Sequence, residues 1–175
     1  MRARHIFAVF LLLASCAWAT TLEQLSVDQM IEKSTAVVRA KVTGSFAANR
    51  NGTIYTYYRL QVTENLKSTS PATTEVAVPG GVLGRMMQSV AGAPELRVGG
   101  DYVLFLWTSR SGLTQIIGLS QGAFDVKGGT VLSRSASEAQ MLDSLGRAVP
   151  DRGVTLPLTD LKARLRELVD MGGSR

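Results

Sequence analysis

Gly118-Leu119-Ser120-Gln121-Gly122 has the G-x-S-x-G spacing of a nucleophile elbow. In that device a serine on a sharp strand-to-helix turn attacks an acyl carbon while a histidine takes its proton. Two features of the sequence oppose that chemistry. The residues that follow, Ala123-Phe124-Asp125-Val126, read as a strand and not a helix. The single histidine, His5, and the single cysteine, Cys16, both lie in an N-terminal stretch patterned for removal. We therefore read Ser120 as part of a glycine-rich turn between strands. No Ser-x-x-Lys spacing occurs, so a lysine-assisted serine has no foothold either.

Arg2, Arg4 and His5 precede the apolar run from Ile6 to Leu13, and Ala17-Trp18-Ala19 is a small-x-small cleavage pattern. A cut after Ala19 would make Thr20 the first mature residue and leave no imidazole or thiol. Leu13-Ala14-Ser15-Cys16 also fits a lipobox, in which Cys16 is acylated and tethers the chain to a membrane. Both patterns export the protein, as a secreted or periplasmic domain or as a membrane-anchored lipoprotein. Zinc sites built on His or Cys are excluded from the mature chain. No D-x-[DN]-x-[DN]-G loop offers a calcium site, so neither metal nor cofactor is expected. Glu64, Glu75, Glu95, Asp101 and Asp125 are the acids from which a two-carboxylate hydrolase would have to be built, and spacing singles out no pair.

Removing residues 1–19 leaves 156 residues with 17 basic against 14 acidic side chains. That length buries one core. The charge is dispersed, with no run of five like charges, which argues against a nucleic-acid partner. Asn51-Gly52-Thr53 is formally a glycosylation sequon, but Asn-Gly is first a hairpin turn signal. Two surfaces could bind. One is the polar strand face carrying Tyr55, Tyr57, Arg59 and Gln61, where rings stack and arginine pairs with anions. Tyrosines are also good strand residues in their own right. The other is the loop from Pro79 to Arg85, whose glycines expose backbone amides near Arg85.

The elements that must hold these groups are mostly strands. Ser26 and Gln29 form a capping box for a helix from Val27 to Lys33. Residues 36–43 alternate as a half-buried strand, and Asn49-Arg50-Asn51-Gly52 turns the chain into a longer one, Ile54 to Leu66. Ile54, Thr56, Tyr58, Leu60 and Val62 share its inner face. A strand from Glu75 to Val78 ends at Pro79-Gly80-Gly81, and residues 82–94 read as a long loop or irregular strand. Tyr102 to Trp107 is apolar almost throughout, as a strand buried on both faces requires. A strand is expected over Leu113 to Leu119, then a hairpin of Ala123 to Val126 and Thr130 to Leu132. Ser137 is positioned to cap a helix through Leu145, residues 147–158 read as a connector, and Thr159 to cap a last helix with Leu161, Leu165, Leu168 and Val169 on one stripe.

The pattern predicts a mainly β protein: a small OB-like closed barrel of about six strands with helical additions, or a β-sandwich. Its organisation is a leader at 1–19, a barrel domain at 20–134 and a helical C-terminal extension at 135–175 packed on the same domain.

Ser34 to Val42, Tyr55 to Lys67, Pro79-Gly80-Gly81, Gly99 to Leu106 and Gly118 to Val126 together resemble a group of exported bacterial domains of unknown function. The first two strands also resemble the netrin-like module of tissue metalloproteinase inhibitors, an OB-type barrel. Members of that family chelate the protease zinc through an N-terminal cysteine and are held by disulfides. Thr20 stands where that cysteine would be, so the resemblance implies fold more than activity. The expectation that follows is a non-enzymatic exported domain binding a protein or glycan, with modulation of a secreted protease as one version. A carboxylate-dependent hydrolase and a lipid-tethered envelope component are the alternatives.

Overall fold

The computed structural model describes residues 21–172 apart from 69 and 72, with side chains as far as Leu168. The expected leader, including His5, Cys16, Ala19 and Thr20, lies outside the described residues, as does the Val169 side chain. In chain order the elements are β1 (Thr21–Glu23), α1 (Val27–Lys33), β2 (Ala36–Arg50), β3 (Thr53–Lys67), β4 (Thr73–Pro79), β5 (Gly81–Leu83), β6 (Met86–Gln88), β7 (Asp101–Thr108) and β8 (Thr114–Ile116). A single 3-10 turn, Leu119–Gly122, leads into β9 (Ala123–Lys127) and β10 (Val131–Arg134). Then come β11 (Gln140–Leu142), β12 (Ala148–Val149), β13 (Val154–Pro157) and α2 (Leu158–Gly172). The protein is mainly β, 51% strand against 15% helix.

Alternation in residues 36–67 becomes an antiparallel pair of two fifteen-residue strands, β2 and β3, joined where Asn51 and Gly52 both take positive φ. Three register shifts in the first half of β2 bend it. The bend lets the sheet close: β7, β2, β3, β4 and β8 pair in that order, and β8 returns to β7, forming a ring of five strands. From β7 the sheet continues through β9, β10 and β13.

β7 has a core on each side. Tyr102, Leu104 and Leu106 point into the ring with Val38, Ala40, Val42, Tyr58, Leu60, Val76 and Val78. Val103 and Phe105 point the other way, with Phe124 and Leu132, beneath Met30 and Ile31 of α1 and Leu161 and Leu165 of α2. That is why the run from Tyr102 to Leu106 is apolar at every position; Trp107, at its end, is exposed. The α1 capping box is present, and Lys67 closes the other end of that helix. Its ammonium donates to the carbonyls of Ile31 and Ser34 at 2.5 and 2.7 Å. A cation on the last carbonyls of a helix also meets the favourable end of its dipole. Replacing Lys67 by Met is expected to lower stability by about 2 kcal/mol, read by urea denaturation, because its charge-assisted bonds to the Ile31 and Ser34 carbonyls go, with a longer one to Glu32.

The C-terminal third departs from expectation. Residues 137–145 are not a helix: Gln140 to Leu142 pair in parallel with β1, and Met141 is fully buried. The turn after them is shaped by Asp143, whose carboxylate accepts the N–H groups of Leu145 and Arg147. A segment this short has little helical stability of its own, so tertiary pairing decides it. The expected connector contains β12 and β13. Thr159 lies inside the first turn of α2, which begins at Leu158, and its hydroxyl donates to Asp160. Residues 82–94 include the β5–β6 hairpin, and only Thr114 to Ile116 of the segment 113–119 is strand.

Candidate functional site

The outer face of β2 and β3 carries a continuous aromatic and cationic ladder. Phe46 lies opposite Tyr57 across the strand pair, their rings stacked at 5.2 Å and 11°. Tyr55 tilts against Tyr57 at 6.2 Å, and the Arg59 guanidinium sits 5.2 Å from the centre of the Phe46 ring. Arg59 also reaches Glu75 of β4 at 3.4 Å. Gln61 is exposed two positions further along β3. Phe46 keeps 40% of its surface exposed, unusual for a ring with two aromatic and cationic neighbours already in place. Sequence reading placed the β3 residues on one face but passed over Phe46, which pairing alone brings to them. Arg85 is elsewhere, exposed in the turn of the β5–β6 hairpin beside exposed Val82, Met86 and Met87.

The G-x-S-x-G segment is structural on its flanks. Gly118 adopts left-handed backbone, and a Cβ on Gly122 would stand 2.5 Å from the Ile117 carbonyl oxygen. Gln121 is buried: its Oε1 accepts the Leu25 N–H at 2.8 Å and its Nε2 donates to the Glu23 carbonyl at 2.9 Å. The glutamine thus ties the N-terminal strand to the ring. The Ser120 hydroxyl is buried and has no hydrogen-bond partner.

The five candidate acids separate into two sets. Asp101 accepts three bonds from Arg39, the shortest 2.6 Å, and holds that guanidinium above its ordinary pKa, burial acting the other way. Glu64 pairs with Lys162 at 2.6 Å and Glu75 with Arg59. Glu95 and Asp125, in contrast, both line a cavity of about 360 Å³ between residues 92–97 and the β10–β11 connection. Arg97 and Glu138 join them there. Neither was singled out from the sequence, and no local spacing could have done so, since separate loops deliver them. Among the described residues no group of three His, Cys, Asp or Glu side chains is placed to hold a metal.

Two tyrosines in the ring fix the cavity's near wall. The Tyr102 hydroxyl accepts the Arg97 N–H at 2.9 Å, and the backbone of Leu96 hydrogen-bonds the Tyr58 oxygen. Burial pushes the Tyr58 phenol above its ordinary pKa and the nearby Glu95 charge adds to that, against the Leu96 bond. Leu96 itself is buried in the ring core, so Glu95 and Arg97 flank an anchored residue.

No family model, curated protein or solved structure matches this chain. Its function is read from the surfaces just described.

Proposed function

We propose that this chain is an exported, non-catalytic binding domain that takes a protein or glycan partner on the outer face of β2 and β3. The observation that carries the reading is the ladder of exposed Phe46 and Arg59 with half-buried Tyr57. Aromatic and arginine side chains clustered on a rigid strand face are the groups that dominate recognition surfaces, because they offer much contact area at low entropic cost. A ring face also stacks on sugar C–H groups or on a peptide side chain. A secreted protease is one protein partner this accommodates. The N-terminal leader pattern supports export, through cleavage after Ala19 or acylation of Cys16.

The test combines an array of neutral and acidic oligosaccharides with rate measurements on secreted metalloproteases. For any ligand found, the double variant Phe46→Ala, Tyr57→Ala is expected to bind at least about tenfold more weakly, with Gln61→Ala little changed. Stacked cross-strand rings also stabilise a sheet, so the melting temperature of the double variant is measured alongside. Binding that survives both substitutions in a folded variant overturns the reading.

A further inference from the structure

We infer that the β5–β6 ribbon is a membrane contact, whose apolar tip enters the headgroup layer of a bilayer carrying anionic lipids. The inference rests neither on Cys16 nor on the function proposed for the Phe46–Tyr57 face.

The first observation is that the ribbon is apolar on both of its faces. Residues directly opposite one another in an antiparallel pair lie on one face, and successive residues alternate. Val82 stands opposite Met87 and Leu83 opposite Met86, so the two pairs look in opposite directions. Val82, Met86 and Met87 keep 61%, 57% and 78% of their surface exposed. The turn between the strands is Gly84-Arg85, and a Cβ on Gly84 would meet nothing within 4 Å. The tip therefore projects from the body. A groove on a partner protein covers one face of such a ribbon, whereas the interfacial layer of a bilayer surrounds both. Methionine suits that setting, being flexible enough to fit an irregular surround. At headgroup depth water still reaches the unpaired edge groups of a two-stranded sheet, so shallow entry strands no backbone group.

The second observation is charge. Arg85 is the only charged residue from Val76 to Pro94, and Asp and Glu are absent from residues 33–63, 76–94 and 102–124. The fold gathers parts of these three segments beside the ribbon. β5 packs on β2 and β3, the Gly80 N–H donates to the Ile54 carbonyl at 2.8 Å, and a Cβ on Gly81 would collide with the Thr56 hydroxyl. Arg50, at the end of β2, donates to Ser111 Oγ of the β7–β8 turn at 3.4 Å, next to exposed Arg110. Arg50, Arg85 and Arg110 have no ion-pair partner among the described residues. Glu95 and Glu138 share a cavity with Gly80 and Gly81 at the ribbon's base, a cavity that Val82 to Met87 do not line. An apolar tip ringed by unpaired guanidinium groups complements a surface that is apolar beneath and negative on top. Arginine keeps its head among lipid phosphates while its stem lies along apolar chains.

The probe is a pair of vesicle preparations, one of phosphatidylcholine alone and one of phosphatidylcholine with phosphatidylglycerol at three to one. The chain is used from Thr20 onward, so that neither leader nor acyl group contributes. Flotation is expected to recover it with the mixed vesicles. Partition should be at least about tenfold weaker on the neutral ones, because three guanidinium groups gain at an anionic surface, and should fall at high salt. Val82→Ser with Met87→Ser should lower partition at least about tenfold, and Arg85→Gln about fivefold. These side chains are exposed, so the melting temperature should hold. Should the serine pair disturb the fold, Met86→Cys is the second variant. The chain from Thr20 has no other thiol, and an environment-sensitive dye on the introduced one should shift to the blue with mixed vesicles alone. No partition, equal partition on both vesicles, unchanged partition in the folded serine variant, or a dye without a shift overturns the inference. So does self-association in solution that the serine pair abolishes, which would give the ribbon to a second copy. The Phe46→Ala, Tyr57→Ala protein should float with the mixed vesicles normally, which separates failure here from failure of the other face.

Discussion

Asp151→Ala is expected to cost about 3–5 kcal/mol of folding stability, the range for removing one partner of a buried ion pair. Arg134 Nη1 and Nη2 donate to the two oxygens of Asp151 at 2.6 and 3.0 Å, and the side chains are 4% and 3% exposed. The same carboxylate accepts the N–H groups of Ser137 and Gly153 at 2.9 and 3.0 Å. Alanine would strand a buried guanidinium and two backbone donors together. Urea unfolding of the two proteins measures the difference. The double replacement Arg134→Met, Asp151→Leu should fall much closer to wild type, since no unpaired charge remains. A single-variant cost below 1 kcal/mol would contradict the account.

The same pair sets a pH dependence. Burial alone would raise the Asp151 pKa, but the Arg134 hydrogen bonds and the N–H groups of Ser137 and Gly153 outweigh it and hold the carboxyl below its ordinary value of 3.8. A folded pKa below the unfolded one means the unfolded chain binds more protons in that interval. The contribution is therefore complete above about pH 4 and lost as pH falls through the folded pKa. Asp151→Asn should lack that part of the acid slope.

Gln121→Ala is expected to cost about 2–4 kcal/mol, from two buried hydrogen bonds and the cavity left behind. Its effect should be local as well as global. The Leu25 amide, which donates to Gln121, should exchange with solvent much faster, and β1 should lose protection with it. Gln121→Glu keeps the acceptor for Leu25 but loses the donor to the Glu23 carbonyl, so it should fall between. Unchanged exchange at Leu25 in Gln121→Ala would show that β1 is held by its pairing with β11 alone.

Much of the ring was legible because its signals are local. Alternation over residues 36–43 and 54–66, an Asn-Gly turn between them and a five-residue apolar run at Tyr102 each depend on neighbours in sequence. The Ser26–Gln29 capping box is equally local, and both of its bonds are present. What failed to read was set by distant partners. Residues 140–142 become a strand because β1 lies beside them, and nothing within the segment encodes that pairing. Phe46 joins Tyr57 only through register. Glu95, Asp125 and Glu138 line one cavity because a strand, β9, and two separate connections converge there. Lys67 and Gln121 stood in recognisable patterns, yet their work is structural: each satisfies backbone groups of the N-terminal segment.

A strand pressed from both sides has little freedom to shift. β7 takes its place from the ring interior on one side and from the helical layer on the other, so displacing it would disturb both at once. It acts as a stiff spine. The β5–β6 ribbon, a two-stranded sheet of its own with Val82, Met86 and Met87 in solvent, is fastened instead to β3, where the Ile54 N–H donates to Gln88 Oε1 and the Thr56 hydroxyl to the Gly80 carbonyl, so its exposed apolar side chains are carried on a braced arm.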